Sequence, residues 1–421
     1  MPTELSIREG FFTVTLSWIS LSFFGCLPFI FSNSIPSFTD AYFETMSGFT
    51  TTGATILTNI ESLPKSILVW RNMTQWLGGM GVIVIMVAVF PILGMGGAQL
   101  FKAEVPGPTK DKISPRISET AKILWWVYLF FTVLEIFMLM MGGLSFFHAL
   151  CIAFGTMATG GYAPLNDSIA AFPSPYIHYV IIFFMLIAGT NFNLHYWALK
   201  GKPDRYIKNP EFRFFYTVIL IAIITVISIR LIKGTPFSET LIRGSLFQVV
   251  SIITTTGFIT ENYEQWPFAT QFVLLLLMFI GGCASSTGGA IKNIRIQVLF
   301  KYLKNHLKTL FQPRGIFPVK IGDKVIPENI VANIIVFISI YMLLFLSGVL
   351  LMTFMGIDID TSIGSVASTL GNVGPGLGSV GPVENYAHLP ALAKWLLSFL
   401  MLAGRLEIYT VLVLFLPSYW R

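Results

Sequence analysis

Four short segments, far apart in the chain, share one pattern: residues 50–55 read TTTGAT, 158–163 ATGGYA, 254–259 TTTGFI and 371–376 GNVGPG. Each sets small or β-branched residues ahead of a glycine, aligned here on Gly53, Gly160, Gly257 and Gly374. Each follows a short amphipathic stretch, and long apolar runs lie on either side. This is one unit written four times, so the fold has to use four copies of the same device.

The flanking runs decide the solvent. Hydrophobic residues make up 54% of the chain and charged residues 11%, far from the averages of soluble domains. Runs long enough to cross roughly 30 Å of hydrocarbon occupy 11–31, 72–94, 123–143, 176–199, 214–232, 268–291, 330–356 and 387–416. Eight spans put both termini on one side. Most of the 27 Lys and Arg residues fall in the connections on that side, between 102 and 122, 200 and 213, and 292 and 324, which makes it cytoplasmic. The opposite connections carry Lys65, Arg71, Arg230, Lys233, Arg243 and Lys394 against Asp40, Glu44, Glu61, Asp167, Glu239, Glu261, Glu264, Asp358, Asp360 and Glu384. All four glycine segments then open on a net negative outer face. Such a face concentrates cations at a mouth, unless the acids serve only to cap helix starts.

Each unit reads as a spanning helix, a descending half-helix, the glycine loop and a second spanning helix. Two full crossings per unit make the repeats parallel, related by an axis along the membrane normal. The expected fold is therefore an all-α integral membrane protein with four helix–pore-loop–helix repeats around a central ion pore, divided at 1–98, 99–200, 201–312 and 313–421. The half-helices are legible from their starts: Ser37 with Asp40, Ser145, Ser238 with Glu239, and Asp358 with Asp360. Their C-terminal ends, negative by the helix dipole, would point at a cation. Glycine suits each loop because a carbonyl turned to a crowded axis needs a neighbour free in φ and without a Cβ. Four loops with carbonyls turned inward can replace a cation's water shell.

Other functions find little support. Cys26, Cys151 and Cys283 are scattered through apolar segments and share no metal-ligand spacing with the five histidines. The pI near 9.1 follows from the cytoplasmic loops, and no basic-aromatic pattern suggests nucleic acid. Met1–Gly10 lacks the basic start and apolar core of a cleavable signal. No acid–base pair or nucleophile constellation suggests an enzyme.

On SFTDAYFETMSGFTTTGATIL at 37–57, WRNMTQWLGGMGVIV at 70–84, EVPGPTKDKISPRISETAKILW at 104–125, GGCASSTGGAIK at 281–292 and the later glycine loops, the chain resembles the Trk/Ktr/HKT superfamily of potassium transporters, its TrkH/KtrB-type members above all. The resemblance covers essentially the whole chain. It implies potassium uptake across a bacterial inner membrane by a single-chain imitation of a tetrameric channel. It further implies a homodimer gated by a cytosolic TrkA/KtrA-like ring, with nucleotide bound on that ring and no cofactor on this chain. The TrkH-type members usually carry two further helices ahead of the first repeat, whereas here that repeat starts close to Met1. A shorter eight-helix form and a start lying upstream both remain open.

The expected filter lining is the carbonyls of Thr51, Thr52 and Gly53; Ala158, Thr159 and Gly160; Thr255, Thr256 and Gly257; and Asn372, Val373 and Gly374. In plant relatives a serine at the first-loop glycine accompanies sodium transport, so Gly53 favours potassium by that resemblance. The sixth span is interrupted by Gly281, Gly282, Ser285, Ser286, Thr287, Gly288 and Gly289. Glycine at that density costs about 1 kcal/mol per residue in a helix, so the span should break; the resemblance makes the broken segment a gate beneath the filter. Arg405, alone in the last span, needs polar partners, best found on the 281–289 loop, since Glu407 lies off its helical face. A partner would dock on the basic loops 98–122, 200–213 and 290–328. Two competing readings are a non-conducting membrane anchor for that partner and a sodium-permeable transporter.

Overall fold

A computed structural model of the chain describes residues 7–88 and 117–420, with side chains over 8–81 and 121–420. The end of the 72–94 run, the division at 98/99 and most of the basic loop 98–122 lie outside the described residues.

Among the described residues, four helical stretches are long and apolar enough to cross a membrane: Arg8–Phe31, Ala121–Met141, Pro210–Ile232 and Glu328–Phe354. They contain α1 (Ile7–Gly25), α2 (Leu27–Phe31), most of α5 (Ile117–Met141), α10 (Pro210–Ile232) and α14 (Glu328–Phe354). After each comes a short helix: α3 (Phe38–Phe49), α6 (Phe146–Met157), α11 (Glu239–Ile253) and α15 (Ile359–Gly371). Each short helix precedes a glycine segment and then another helix, respectively α4 (Lys65–Ala88), α7 (Pro175–Ala188) with α8 (Phe192–Leu199), α12 (Phe268–Met278) and α16 (Ala391–Arg405). Between α8 and α10 lies α9 (Asp204–Lys208); α13 (Asn293–Phe311) and the hairpin of β1 (Lys320–Ile321) and β2 (Lys324–Val325) follow α12, and α17 (Tyr409–Leu412) follows α16. The chain is an integral membrane protein built mostly of helices.

The short helices begin where their caps direct. The side chains of Ser37, Ser145, Ser238 and Asp358 accept from the N–H groups of Asp40, His148, Leu241 and Thr361, each satisfying a donor that the helix itself leaves free. At about 1.5 Å per residue, helices of 12 to 15 residues are too short to cross. They end inside the protein, and all end alike. Thr52, Gly160, Thr256 and Val373 donate their N–H groups to Ser47, Gly155, Ser251 and Ser368 at 2.8, 2.8, 2.9 and 2.8 Å. The residue before each donor is left-handed, with φ of 51° at Thr51, 54° at Thr159, 58° at Thr255 and 54° at Asn372. That closure usually takes glycine, and a β-branched residue in it is strained.

Two expected spans do not run through. The 176–199 run bends by 104° between α7 and α8, and the 387–416 run bends by 116° after Arg405. At the first break the carbonyls of Ala188 and Gly189 accept from Thr287 and Cys283 at 3.2 and 2.9 Å, and Asn191 caps α8. The helix can stop there because another segment satisfies its last carbonyls. At the second break, Glu407 and Ile408 take positive φ of 61° and 51°. The interruption expected in the sixth span is present: α12 ends at Met278, α13 starts at Asn293, and Ile280 pairs with Ile291 across the gap.

Candidate functional site

The four glycine loops touch in a closed circle. A Cβ on Gly53 would come within 2.1 Å of the Gly160 carbonyl oxygen; one on Gly161 would meet Thr256 O at 2.0 Å, one on Gly257 would meet Val373 O at 2.0 Å, and one on Gly374 would meet Thr52 O at 2.6 Å. Loop one thus abuts loop two, two abuts three, three abuts four, and four abuts one. All four glycines have positive φ, at 85°, 77°, 78° and 103°. Here glycine is required twice over, by the dihedral and by the close approach.

The circle corrects one register. The second loop's counterpart of Gly53, Gly257 and Gly374 is Gly161, not Gly160, because the left-handed Thr159 matches Thr51, Thr255 and Asn372. Gly160 therefore stands where Thr52, Thr256 and Val373 stand, and Ala158 stands two places before it, with Thr50, Thr254 and Gly371. Two adjacent glycines in ATGGYA made both registers compatible with the sequence.

Side chains that sequence reasoning did not single out hold the loops. Arg71, on α4, pairs with Glu44, on α3, at 2.7 Å; both are buried. The guanidinium lies 3.5 Å from the Tyr162 ring centre and donates to Ala163 O at 3.1 Å, while Glu44 accepts from Thr55 Oγ1 and Ile56 N. Tyr162 donates to Ala54 O at 3.2 Å, Tyr263 to Gly376 O at 2.8 Å, and Tyr386 to Gly374 O at 2.9 Å. The first two of these hydroxyls reach from one loop to the next. The spacing of Arg71 and Gln75, two long polar side chains four apart in an apolar helix, was the available signal.

The acids expected on the outer face are less free than their number suggested. Glu44 is buried, Asp40 pairs with Lys394 at 2.6 Å, Glu261 with Arg230 at 2.9 Å, and Glu239 with Arg243 at 2.9 Å. Beside the loops lies a cavity of about 230 Å³, lined by Gly53, Gly161, Gly257, Gly374, Asn166 and Glu384 among others. Burial pushes the Glu264 carboxyl above its ordinary value; a hydrogen bond from Gly378 opposes this and the Glu384 charge adds to it.

On the opposite side, the 280–291 segment is packed against the ends of the short helices. Thr287 Oγ1 donates to Met157 O at 3.0 Å, and Gly289 N donates to Thr255 Oγ1 at 2.7 Å. A Cβ on Gly289 would lie 2.6 Å from Gly371 O, and one on Gly288 would lie 3.1 Å from Thr254 O. The segment thus reaches the ends of α6, α11 and α15. Gly281 and Gly282 form its entry: a Cβ on either would meet Gly289 O or Gly189 O, at 2.0 and 2.7 Å. Ser285 O accepts from Phe192 N at 3.0 Å, and Ser286 Oγ donates to Cys283 O at 2.6 Å.

Arg405 donates to Thr287 O at 2.7 Å and to Gly78 O at 3.4 Å. Gly78 in turn packs on the end of α3, where a Cβ would meet Phe49 O at 1.9 Å. The arginine is thus linked to the end of α3 through Gly78. Glu407 serves Arg295 instead, at 2.6 Å. Lys292 and Arg295 are buried, so the start of the basic stretch 290–328 is interior and only its later part forms surface. Cys26, Cys151 and Cys283 are buried and unbridged.

The Trk system potassium uptake protein TrkH of Escherichia coli K12 is 45% identical over 99% of this chain and 87% of its own length. TrkH of Halomonas elongata is 42% identical over the same shares, and TrkG of E. coli K12 is 35% identical over 99% and 86%. The crystal structure of the potassium transporter TrkH from Vibrio parahaemolyticus superposes with a TM-score of 0.91 at 39% identity, covering 100% of this chain and 87% of that one. A family profile described as TrkH, cation transport protein, matches residues 1–421, and the chain belongs to that family of cation transporters, which are not enzymes.

Proposed function

We propose that this protein carries potassium into the cell across the bacterial inner membrane, through a path lined by the four glycine loops. The observation that carries the reading is the closed circle of contacts among loops distant in sequence. Carbonyls held in such a circle stand in for a cation's hydration shell. The lining is then Thr51, Thr52 and Gly53; Thr159, Gly160 and Gly161; Thr255, Thr256 and Gly257; and Asn372, Val373 and Gly374. Gly53 in place of serine, and relatives named for potassium uptake, favour potassium over sodium. The repeats divide near 1–98, 99–200, 201–312 and 313–421, with both termini cytoplasmic.

The 281–289 segment with Arg405 is the gate, because it fills the space beneath three loops and places a positive charge beside the fourth. A cytosolic nucleotide-binding ring acting on a dimer of this chain would release it through the exposed basic surface after residue 298. Uptake of radioactive rubidium into liposomes holding the purified chain tests the reading. Rubidium uptake that excess potassium suppresses and excess sodium does not is the expected result. A folded, reconstituted protein without flux, with or without the ring, would leave only the anchor reading.

A further inference from the structure

Three of the four half-helices carry serine at the residue whose carbonyl accepts from the loop, namely Ser47, Ser251 and Ser368, and the fourth carries Gly155. Two of those serines brace their own loops: Ser251 Oγ donates to Phe258 O at 2.7 Å and Ser368 Oγ to Gly374 O at 2.6 Å. Gly155 has no side chain to do so. A Cβ there would lie 2.8 Å from Tyr162 O and 3.0 Å from Phe258 Cζ, with Gln75 Oε1 in ordinary contact at 3.5 Å, so the second loop is braced from another element instead.

Gln75 comes from α4, in the first quarter of the chain, and is fully buried. Its Nε2 donates to Gly160 O at 2.6 Å and its Oε1 accepts from Tyr162 N at 3.0 Å, so the amide straddles Gly161. A Cβ on Gly160 would meet Gln75 Cδ at 2.4 Å. That accounts for the double glycine of the second loop: Gly161 supplies the positive φ, and Gly160 leaves room for the amide. The carbonyls at this level belong to Thr52, Gly160, Thr256 and Val373. Among the described residues, Gly160 O is the one of the four to which a side chain donates.

We propose that Gln75 is a positioning and specificity-determining residue of the cation path, setting the Gly160 carbonyl's distance from the ion and withdrawing part of its lone-pair density. The inference rests on the reading of the loops as the filter. A carbonyl that is pinned and shares its electron density cannot close around a smaller ion as a free one can. The second quadrant of the ring is thereby made unlike the other three by a residue of the first repeat.

The test measures rubidium and sodium uptake by the intact, reconstituted protein and takes their ratio. Gln75→Met keeps the length and loses both hydrogen bonds; each is worth a fewfold change in an equilibrium, so the rubidium-to-sodium ratio should fall by roughly fivefold to tenfold while rubidium flux persists. Gln75→Glu can make both bonds as the neutral acid and should hold the ratio within about twofold. Gly160→Ala leaves Gln75 in place but drives its amide away, and should reproduce the fall. Combined with Gln75→Met it should add little, since both remove the same brace. An unchanged ratio in folded Gln75→Met overturns the proposal. If that variant is not recovered folded, Gly160→Ala decides: a parental ratio there refutes the brace by itself. Absence of selective rubidium flux in the parent protein would instead sink the filter reading on which the inference stands.

Discussion

Arg405→Ala should raise cation flux in the absence of any cytosolic partner. The parent guanidinium is buried, held by the carbonyls of Thr287 and Gly78. On the proposed path, a cation leaving the loop circle passes this fixed charge. Two unit charges about 8 Å apart at an effective dielectric near 20 repel by roughly 2 kcal/mol, which corresponds to a factor of about thirty in rate. Alanine removes that barrier and frees Thr287 O, so the 281–289 segment loses a tie as well. The assay is initial-rate rubidium uptake by proteoliposomes at matched protein density. Arg405→Lys keeps the charge while losing the planar fork, and should keep flux low if the charge dominates. A deletion within 282–288 should also raise flux, and combining it with Arg405→Ala should give less than the product of the two effects, since each removes the same obstruction. Flux in folded Arg405→Ala no higher than in the parent, or strict additivity of the two changes on a logarithmic scale, would mean that the arginine only ties α16 to its neighbours.

Gly53→Ser should lower discrimination against sodium, because a Cβ there meets the Gly160 carbonyl oxygen at 2.1 Å; equal rubidium-to-sodium ratios in folded parent and variant would contradict the first-loop assignment. Gly161→Ala should damage the protein more than a typical surface change, since it opposes a φ of 77° and places a methyl 2.0 Å from Thr256 O; unaltered thermal stability and flux would refute the corrected register. Asp358→Ala should lower stability by about 1 kcal/mol through loss of the cap on α15. The backbone N–H of Thr361 holds the Asp358 carboxyl below its ordinary value, so its stabilisation is present above the unfolded-state value and lost as pH falls through the folded one. Denaturation midpoints of parent and Asp358→Ala should therefore converge in acid, and a gap that persists there would show that the charge is not responsible.

How much of this was legible without coordinates differs from residue to residue. The caps at Ser37, Ser145, Ser238 and Asp358 are local: a side chain meets an N–H group three residues on, and adjacent sequence contains the whole interaction. The break at 281–289 is also local, because clustered glycines lower helix propensity wherever they occur. Membrane residence follows from composition and run length alone. The four glycine segments announced four matching loops, since the need for positive φ is written in the residue type.

The rest depends on what lies across the molecule. The bend after Ala188 is permitted locally by Gly189 and the Asn191 cap, but it is held because Cys283 and Thr287, nearly a hundred residues away, donate to the last carbonyls of α7. Gly160 and Gly161 are told apart only by the backbone, which is left-handed at Thr159 and again at Gly161, and by the Gln75 amide that fills the space beside Gly160. Glu44 reads as a free outer acid until Arg71, one helix later, is found against it. Sequence by itself determined which segments are helices, where they begin and which solvent they require, because those choices turn on neighbours within one or two helical turns. Tertiary structure alone decided which carbonyls are free, which are braced and what fills the space beneath them, because those depend on donors that approach from distant parts of the chain.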